Sequence, residues 1–294
     1  MPIFPTLANL RSQPEPNEMQ GQASLTAKGA AKHRAAHQLL EGGKIFSDPF
    51  AVAILGENPD EIVRDAEENP NRLPLRLFVA ARSRLAEDRL AEAVSRGVRQ
   101  LVVLGAGLDT FSLRNPHRAK GLKVFEVDHP ATQAWKRERI AEATSEPPAF
   151  DFVAVDFEKQ AFLDELVKAG FDPPSPAFVM WLGVVPYLTR EAIGSTLRAL
   201  AGIRAEIVFD YGEPVETFSG ARRAFIEAME ARVAALGEPF LSRFRPAEMA
   251  ALLAETGFTR RDDFGPHEMG VYLGAASPPP AGTPGGHVVH ARSK

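Results

Sequence analysis

LVVLGAGLDT, residues 101 to 110, joins four consecutive apolar residues to a G-x-G turn. An apolar run of that length ending on glycine reads as a buried strand, and Gly105 and Gly107 let the backbone turn tightly and approach another group closely. Four more β-rich runs follow at residues 124–127, 152–155, 178–182 and 207–209, each separated from the next by enough chain for a helix. Near-continuous apolar strands alternating with helices predict a parallel sheet covered on both faces, an α/β doubly wound fold.

Upstream, residues 79–96 place Val79, Ala86, Leu90 and Ala93 on one helix face, with Arg82 on that face and Arg84 on the opposite one. A guanidinium there either holds a carboxylate at the mouth of the glycine turn through a bidentate pair or sits at the rim on a snorkelling stem. Further back, the Ala-rich residues 24–45 predict a helix closed by Gly42-Gly43, a second helix follows Asp48-Pro49, and Pro70 and Pro74 punctuate a turn. The expected organisation is a loose arm over residues 1–22, a helical cap over 23–77, and the main domain over 78–294.

Downstream of the fifth strand, residues 213–237 place Phe218, Phe225, Met229, Val233 and Leu236 at helical spacings and delay the next core helix, residues 246–256. This predicts an insertion, residues 213–245, that acts as a lid over the carboxyl edge of the sheet. Residues 258–264 read as a sixth strand, 277–286 as a Pro/Gly linker, and 287–291 (HVVHA) as a returning edge strand.

In a doubly wound sheet the ligand lies outside the carboxyl ends of the strands, so the residues there are the candidate site. The second strand ends FEVDHP and puts Asp128 21 residues after Gly107, close to the spacing of about 20 at which an acid accepts both ribose hydroxyls. The competing role for Asp128 is to initiate a helix at Pro130. The third strand ends FVAVDF, where Asp156 accepts from an adenine amino group with Phe157 packed on the ring, or else Asp156 caps the helix behind it. A dinucleotide fingerprint needs a third glycine where this chain has Thr110, so the turn suits a nucleoside without phosphates better than a pyrophosphate.

The remaining sequence excludes other classes. With 34 Lys plus Arg against 38 Asp plus Glu, the net charge of -4 provides no field for nucleic acid. The absence of cysteine rules out disulfides, thiolate metal sites and thiol nucleophiles. His33 and His37 are spaced i, i+4, but with no carboxylate between them and no third ligand they read as solvated surface histidines, and no metal is expected. There is no nucleophile elbow or Walker loop. The longest apolar run, residues 177–188, falls short of the ~20 residues of a spanning helix, and the N-terminus lacks a secretory pattern. A cytoplasmic chain without a membrane partner is expected.

Together these residues resemble the leucine carboxyl methyltransferase family, in particular its bacterial branch of S-adenosylmethionine-dependent methyltransferases. TAKGAAKHRAAH, SDPFA, AARSRLAED, LGAGLDTFSLR, VFEVDHPATQAWKR, FVAVDFEK and WLGVVPYLT occur in the family's order, with LGAGLDT followed by EVDHP the most specific part. The resemblance implies a Rossmann-like class I methyltransferase fold with S-adenosyl-L-methionine as cofactor. By it Arg82 grips the methionine carboxylate, Gly105 and Gly107 line the amino-acid end, Asp128 binds the ribose, and Asp156 with Phe157 binds adenine. Two positions depart from it: Phe111 stands where relatives often carry Arg, and Leu182 where they often carry Glu, which removes an acid from the amino-acid end. Tyr187 is similar to a residue near the acceptor site, with a core tyrosine as its other reading.

The expected reaction is O-methylation of a carboxylate or hydroxyl on a small molecule or peptide, with the carboxylate preferred by family analogy. The resemblance names no catalytic residue, acceptor or oligomeric state. Two alternatives remain at this stage: a nicotinamide-dependent oxidoreductase, which shares the glycine turn and Asp128, and a catalytically silent cofactor-binding module.

Overall fold

The computed structural model describes residues 25–145, 149–155, 161–235 and 237–293. The chain opens with three helices, α1 (Leu25–Glu41), α2 (Ala51–Leu55) and α3 (Pro59–Glu68), followed by the long α4 (Leu73–Ser95). Strands and helices then alternate: β1 (Gln100–Leu104), α5 (Phe111–Arg114), β2 (Lys123–Asp128), α6 (Pro130–Ala143), β3 (Asp151–Ala154), α7 (Phe162–Lys168), β4 (Ala177–Trp181), α8 (Arg190–Gly202) and β5 (Ala205–Gly212). After β5 come α9 (Gly220–Ala235), α10 (Pro246–Thr256), β6 (Phe258–Phe264), α11 (Pro266–Tyr272) and β7 (Gly286–Ser293).

The seven strands form one sheet in the order β3-β2-β1-β4-β5-β7-β6. Strands β1 to β5 pair in parallel, whereas β7 runs antiparallel to both β5 and β6. The α/β doubly wound expectation therefore holds, with one correction. The residues read as an edge strand, HVVHA, lie inside β7 between β5 and β6, and all five are buried. Insertion between two strands pairs their backbone groups on both sides, which an edge position cannot do.

Both sheet faces are packed, as apolar parallel strands require. One face joins Val102, Phe125, Val179 and Ile207 to Leu197 and Leu253 from α8 and α10. The other joins Leu101, Val103, Phe178 and Met180 to Leu85, Leu90 and Ala93 of α4. Helix α1 lies against α4, and packs Ala31, Ala35 and Ala36 with residues of α2 and α3, where small side chains allow close approach. It ends, as its sequence predicted, at Gly42 and Gly43, both with positive φ. Helix α4 starts earlier than its apolar face suggested, because Pro74 occupies its first turn, where proline's missing N–H costs nothing.

The two histidines of α1 are not solvated. His37 is 1% exposed, and its Nε2 accepts from the amides of Ile45 and Phe46, tying the chain after α1 back onto the helix. His33 is half-buried, and burial together with Arg72, Arg82 and Arg76 lowers its pKa to about 4. Among the described residues no helix is long and apolar enough to cross a membrane, and no cluster of His, Asp and Glu could hold a metal ion.

Candidate active site

The carboxyl ends of β1, β2 and β4 open onto a cavity of about 430 Å³. Its base is the turn after β1. The amides of Gly105 and Ala106 both donate to the Val127 carbonyl, at 2.8 and 3.1 Å, which fastens the turn to β2. Gly105 sits at φ +70, and a Cβ there would meet Val184 Cγ2 at 2.5 Å. Gly107 sits at φ +47, where a Cβ would press on the Ala27 methyl of α1 at 2.9 Å. Both glycines are thus required by backbone conformation and by close approach at once.

Asp128 closes the end of β2. Its Oδ2 accepts from the Gly107 amide at 2.5 Å and its Oδ1 from the His129 amide at 2.6 Å. Burial pushes its carboxyl above the ordinary aspartate range, and the two amides pull it back. Asp128 does not cap α6, because the His129 side chain accepts from Ala131 and takes that place. Each carboxylate oxygen has further acceptor capacity, and Asp128 lines the cavity. Two residues earlier on β2, Glu126 forms a sealed ion pair with Lys136 of α6 at 2.6 Å, both side chains 1% exposed, and also takes the Ser112 hydroxyl of α5. That pair locks β2 to the helices on either side of it.

Arg82 enters from α4, and here the structure changes the expectation. Its Nη1 is paired with an internal carboxylate, Asp210 at the end of β5, at 2.7 Å. Asp210 takes the Gly183 amide with its other oxygen at 2.6 Å. The guanidinium is therefore anchored from behind while still lining the cavity, and its Nε is buried without a hydrogen bond among the described residues. Arg84, two residues on and on the opposite face of the helix, points outward and pairs with Asp88.

Tyr187 also lines the cavity, half-buried and hydrogen-bonded to Thr26 of α1. Burial pushes its phenol up to about 12. Leu182 also lines the cavity and contributes no charge there. Phe111 is 1% exposed, packed into the core beneath α5 and away from the ligand space. The candidates Asp156 and Phe157 lie outside the described residues.

The insertion after β5 reaches the cavity by a different part than its pattern predicted. Along α9 only Ile226 is buried, with Phe225, Met229 and Val233 half-buried. None of these lines the cavity, and Leu236 lies outside the described residues. What reaches it is the loop behind the helix, through Gly237, Glu238, Pro239 and Leu241. That loop is held at two points: the Leu241 amide donates to the Pro186 carbonyl at 2.7 Å, and Glu238 Oε2 accepts from the Thr26 amide at 2.8 Å. Sequence reading missed Asp210 and Glu238. Asp210 had a signal, since it ends the apolar fifth strand as Asp128 ends the second; Glu238, between a glycine and a proline, had none.

These donors fit a nucleoside that carries an amino-acid end. A pyrophosphate would need the start of a long helix aimed at it, whereas the helix after the glycine turn is the four-residue α5. A ribose fits Asp128, and an amino-acid carboxylate fits Arg82.

Comparison with known proteins agrees with that geometry. The family model for leucine carboxyl methyltransferase matches residues 27–201. The chain is 31% identical over 277 residues to "Putative S-adenosyl-L-methionine-dependent methyltransferase YktD" of Bacillus subtilis (strain 168), covering 85% of this chain and 91% of that protein. A relative of the same description from Parafrankia sp. (strain EAN1pec) is 32% identical over 189 residues, and the match spans only 60% of that protein's length. In three dimensions the chain resembles the crystal structure of a methyltransferase-named protein from Thermobifida fusca YX, with a TM-score of 0.56 over 96% of this chain and 98% of the other. At 16% identity that likeness concerns the fold. The chain belongs to the leucine carboxyl methyltransferase family, so the expected methyltransferase class and its cofactor, S-adenosyl-L-methionine, follow from membership.

Proposed function

We propose that this member of the family transfers the methyl group of S-adenosyl-L-methionine to an oxygen of a small molecule or peptide, with a carboxylate as the acceptor. Asp128 holds the ribose hydroxyls, Gly105 and Gly107 let the ligand lie against the turn, and Arg82 takes the methionine carboxylate. When bound, the cofactor supplies a methyl group already made electrophilic by its sulfonium. What the chain must add is orientation of donor and acceptor in line, and exclusion of water. The loop of residues 237–241 and the start of α1 serve the second need by covering the cavity.

The observation that supports the carboxylate reading is that, among the described residues, each acid lining the cavity, Asp128, Asp109 and Glu238, already accepts a backbone amide. Asp128 is engaged by two amides, and Arg34 is held by Asp48 at 3.1 Å and by the Leu108 carbonyl. Asp109 accepts the Phe111 amide at 2.8 Å. Tyr187, with its pKa at about 12, stays protonated at neutral pH. An acceptor that arrives already ionised needs no base, whereas an alcohol does. Tyr187 then orients the acceptor as a hydrogen-bond donor, and no described side chain takes a covalent role.

The test is to supply cofactor labelled in its methyl group together with pools of carboxylic acids, phenols and alcohols. A methyl ester releases labelled methanol in mild base and an ether does not. Base-labile label from the acid pool is the expected result. Base-stable label from the phenol or alcohol pools would replace the carboxylate reading with a hydroxyl one.

A further inference from the structure

We propose that Glu238, from the loop behind α9, binds the cofactor's α-ammonium and together with Arg82 makes the amino-acid end of the cleft a zwitterion clamp. The inference rests on the cofactor reading above.

Four facts carry it. Glu238 and Arg82 line the same cavity from different elements. Both act electrostatically on Tyr187, with opposite effects on its phenol, which places a cation and an anion about one end of the cleft. Glu238 is fixed above the glycine turn: its Oε2 accepts from Thr26, and the next residue, Ala27, is the one whose methyl stands against Gly107. Its second oxygen accepts no hydrogen bond among the described residues, and the carboxylate is half-buried, so water supplies only part of its solvation.

The other acids near the cleft are committed. Asp210 is paired with Arg82 and the Gly183 amide and does not line the cavity. Asp128 is held by the Gly107 and His129 amides, and Asp109 by the Phe111 amide. A bound amino acid brings a carboxylate and an ammonium on one carbon, so a guanidinium and a carboxylate lining one space match it in charge. An ammonium seated at Glu238 also bridges the loop to the ligand and holds the cover closed.

The experiment compares four ligands by calorimetry on the wild-type chain, Glu238→Gln and Arg82→Lys. The ligands are S-adenosylhomocysteine, its deaminated analogue that keeps the carboxylate, its decarboxylated analogue that keeps the amine, and methylthioadenosine, which lacks the amino-acid end. Glutamine still accepts the Thr26 amide, so the loop keeps its tether while the charge is lost.

For Glu238→Gln the expected loss is about ten- to a hundredfold for S-adenosylhomocysteine and for the amine-bearing analogue, the cost of removing one side of a charged hydrogen bond. The deaminated analogue and methylthioadenosine should bind as they do to wild type. Arg82→Lys should show the reverse selectivity between the two analogues, since a point charge cannot replace a planar fork. An equal loss for all four ligands with Glu238→Gln would make Glu238 a cover residue only and overturn the clamp, as would no loss at all. A wild-type chain that binds none of the four would overturn the cofactor reading itself, and the clamp with it.

Discussion

The base of the cleft and its cover are built by opposite means. In the base, the Gly105 and Ala106 amides, the Asp128 carboxylate and the Glu126–Lys136 pair lock the turn after β1 to β2 and α6, through contacts of 2.5 to 3.1 Å between neighbouring elements. In the cover, the start of α1 and residues 237–241 meet through the bond from the Thr26 amide to Glu238, and Leu241 is 55% exposed. A preorganised base suits a ligand that is always the same, because its geometry needs no adjustment on binding. A lightly tethered cover can change from one relative to another without disturbing the base, and it admits an acceptor that must enter and leave.

Acid should break the cover first, and with the largest effect. The folded pKa of His33, at about 4, lies below its ordinary 6.5. The unfolded chain therefore takes the proton first. The stability contributed by the neutral imidazole is complete above pH 6.5 and is lost as pH falls toward 4, by about 3 kcal/mol at most. Denaturant unfolding across that window should show the loss, and His33→Asn should flatten it. Hydrogen exchange at acid pH should open α1 before β1 and β2; the opposite order would reverse the comparison.

Asp128→Ala strikes the base. It should weaken S-adenosylhomocysteine binding by about 1 to 3 kcal/mol, because two amides and the ribose hydroxyls lose their acceptor. Calorimetry alongside a melting curve separates the outcomes. Unchanged binding with a lowered melting temperature would make Asp128 purely structural.

Gly105→Ala should destabilise the fold by about 1 to 2 kcal/mol, from the strain of a side chain at positive φ and from contact with Val184. A melting curve that does not move would mean that the turn yields more easily than its hydrogen bonds imply.

The smallest effect on the cofactor belongs to the cover residues other than Glu238. Leu241→Ser and Tyr187→Phe should leave S-adenosylhomocysteine affinity within about 0.5 kcal/mol while raising the Michaelis constant for the acceptor. A loss of cofactor affinity from Leu241→Ser or Tyr187→Phe as large as that of Asp128→Ala would abolish the distinction between the base and this part of the cover.

Much of the base was legible in the sequence because its parts are close along the chain and obey local rules. The G-x-G turn, the apolar strands and an acid at a strand end are periodic or short-range signals, and Gly107 and Asp128, 21 residues apart, bond directly. The lid was legible only as a helix: the period of α9 predicted an inward stripe, but a period cannot say which surface a helix meets, and the loop behind it does the covering. His37 was read as solvated because helical spacing alone cannot show that Ile45 and Phe46 fold back onto it.

By itself, then, the sequence determined the alternation of strands and helices, the turn after β1, the acid at the end of β2 and the family. Tertiary structure alone decided that β7 lies inside the sheet, that Arg82 is anchored by Asp210 at a separation of 128 residues, and that Glu238 meets Thr26 at a separation of 212. The reason is physical. A local pattern fixes backbone conformation and which face is apolar, whereas the partner of a buried charge is set by strand order and helix packing, which emerge only when the whole chain has closed on its core.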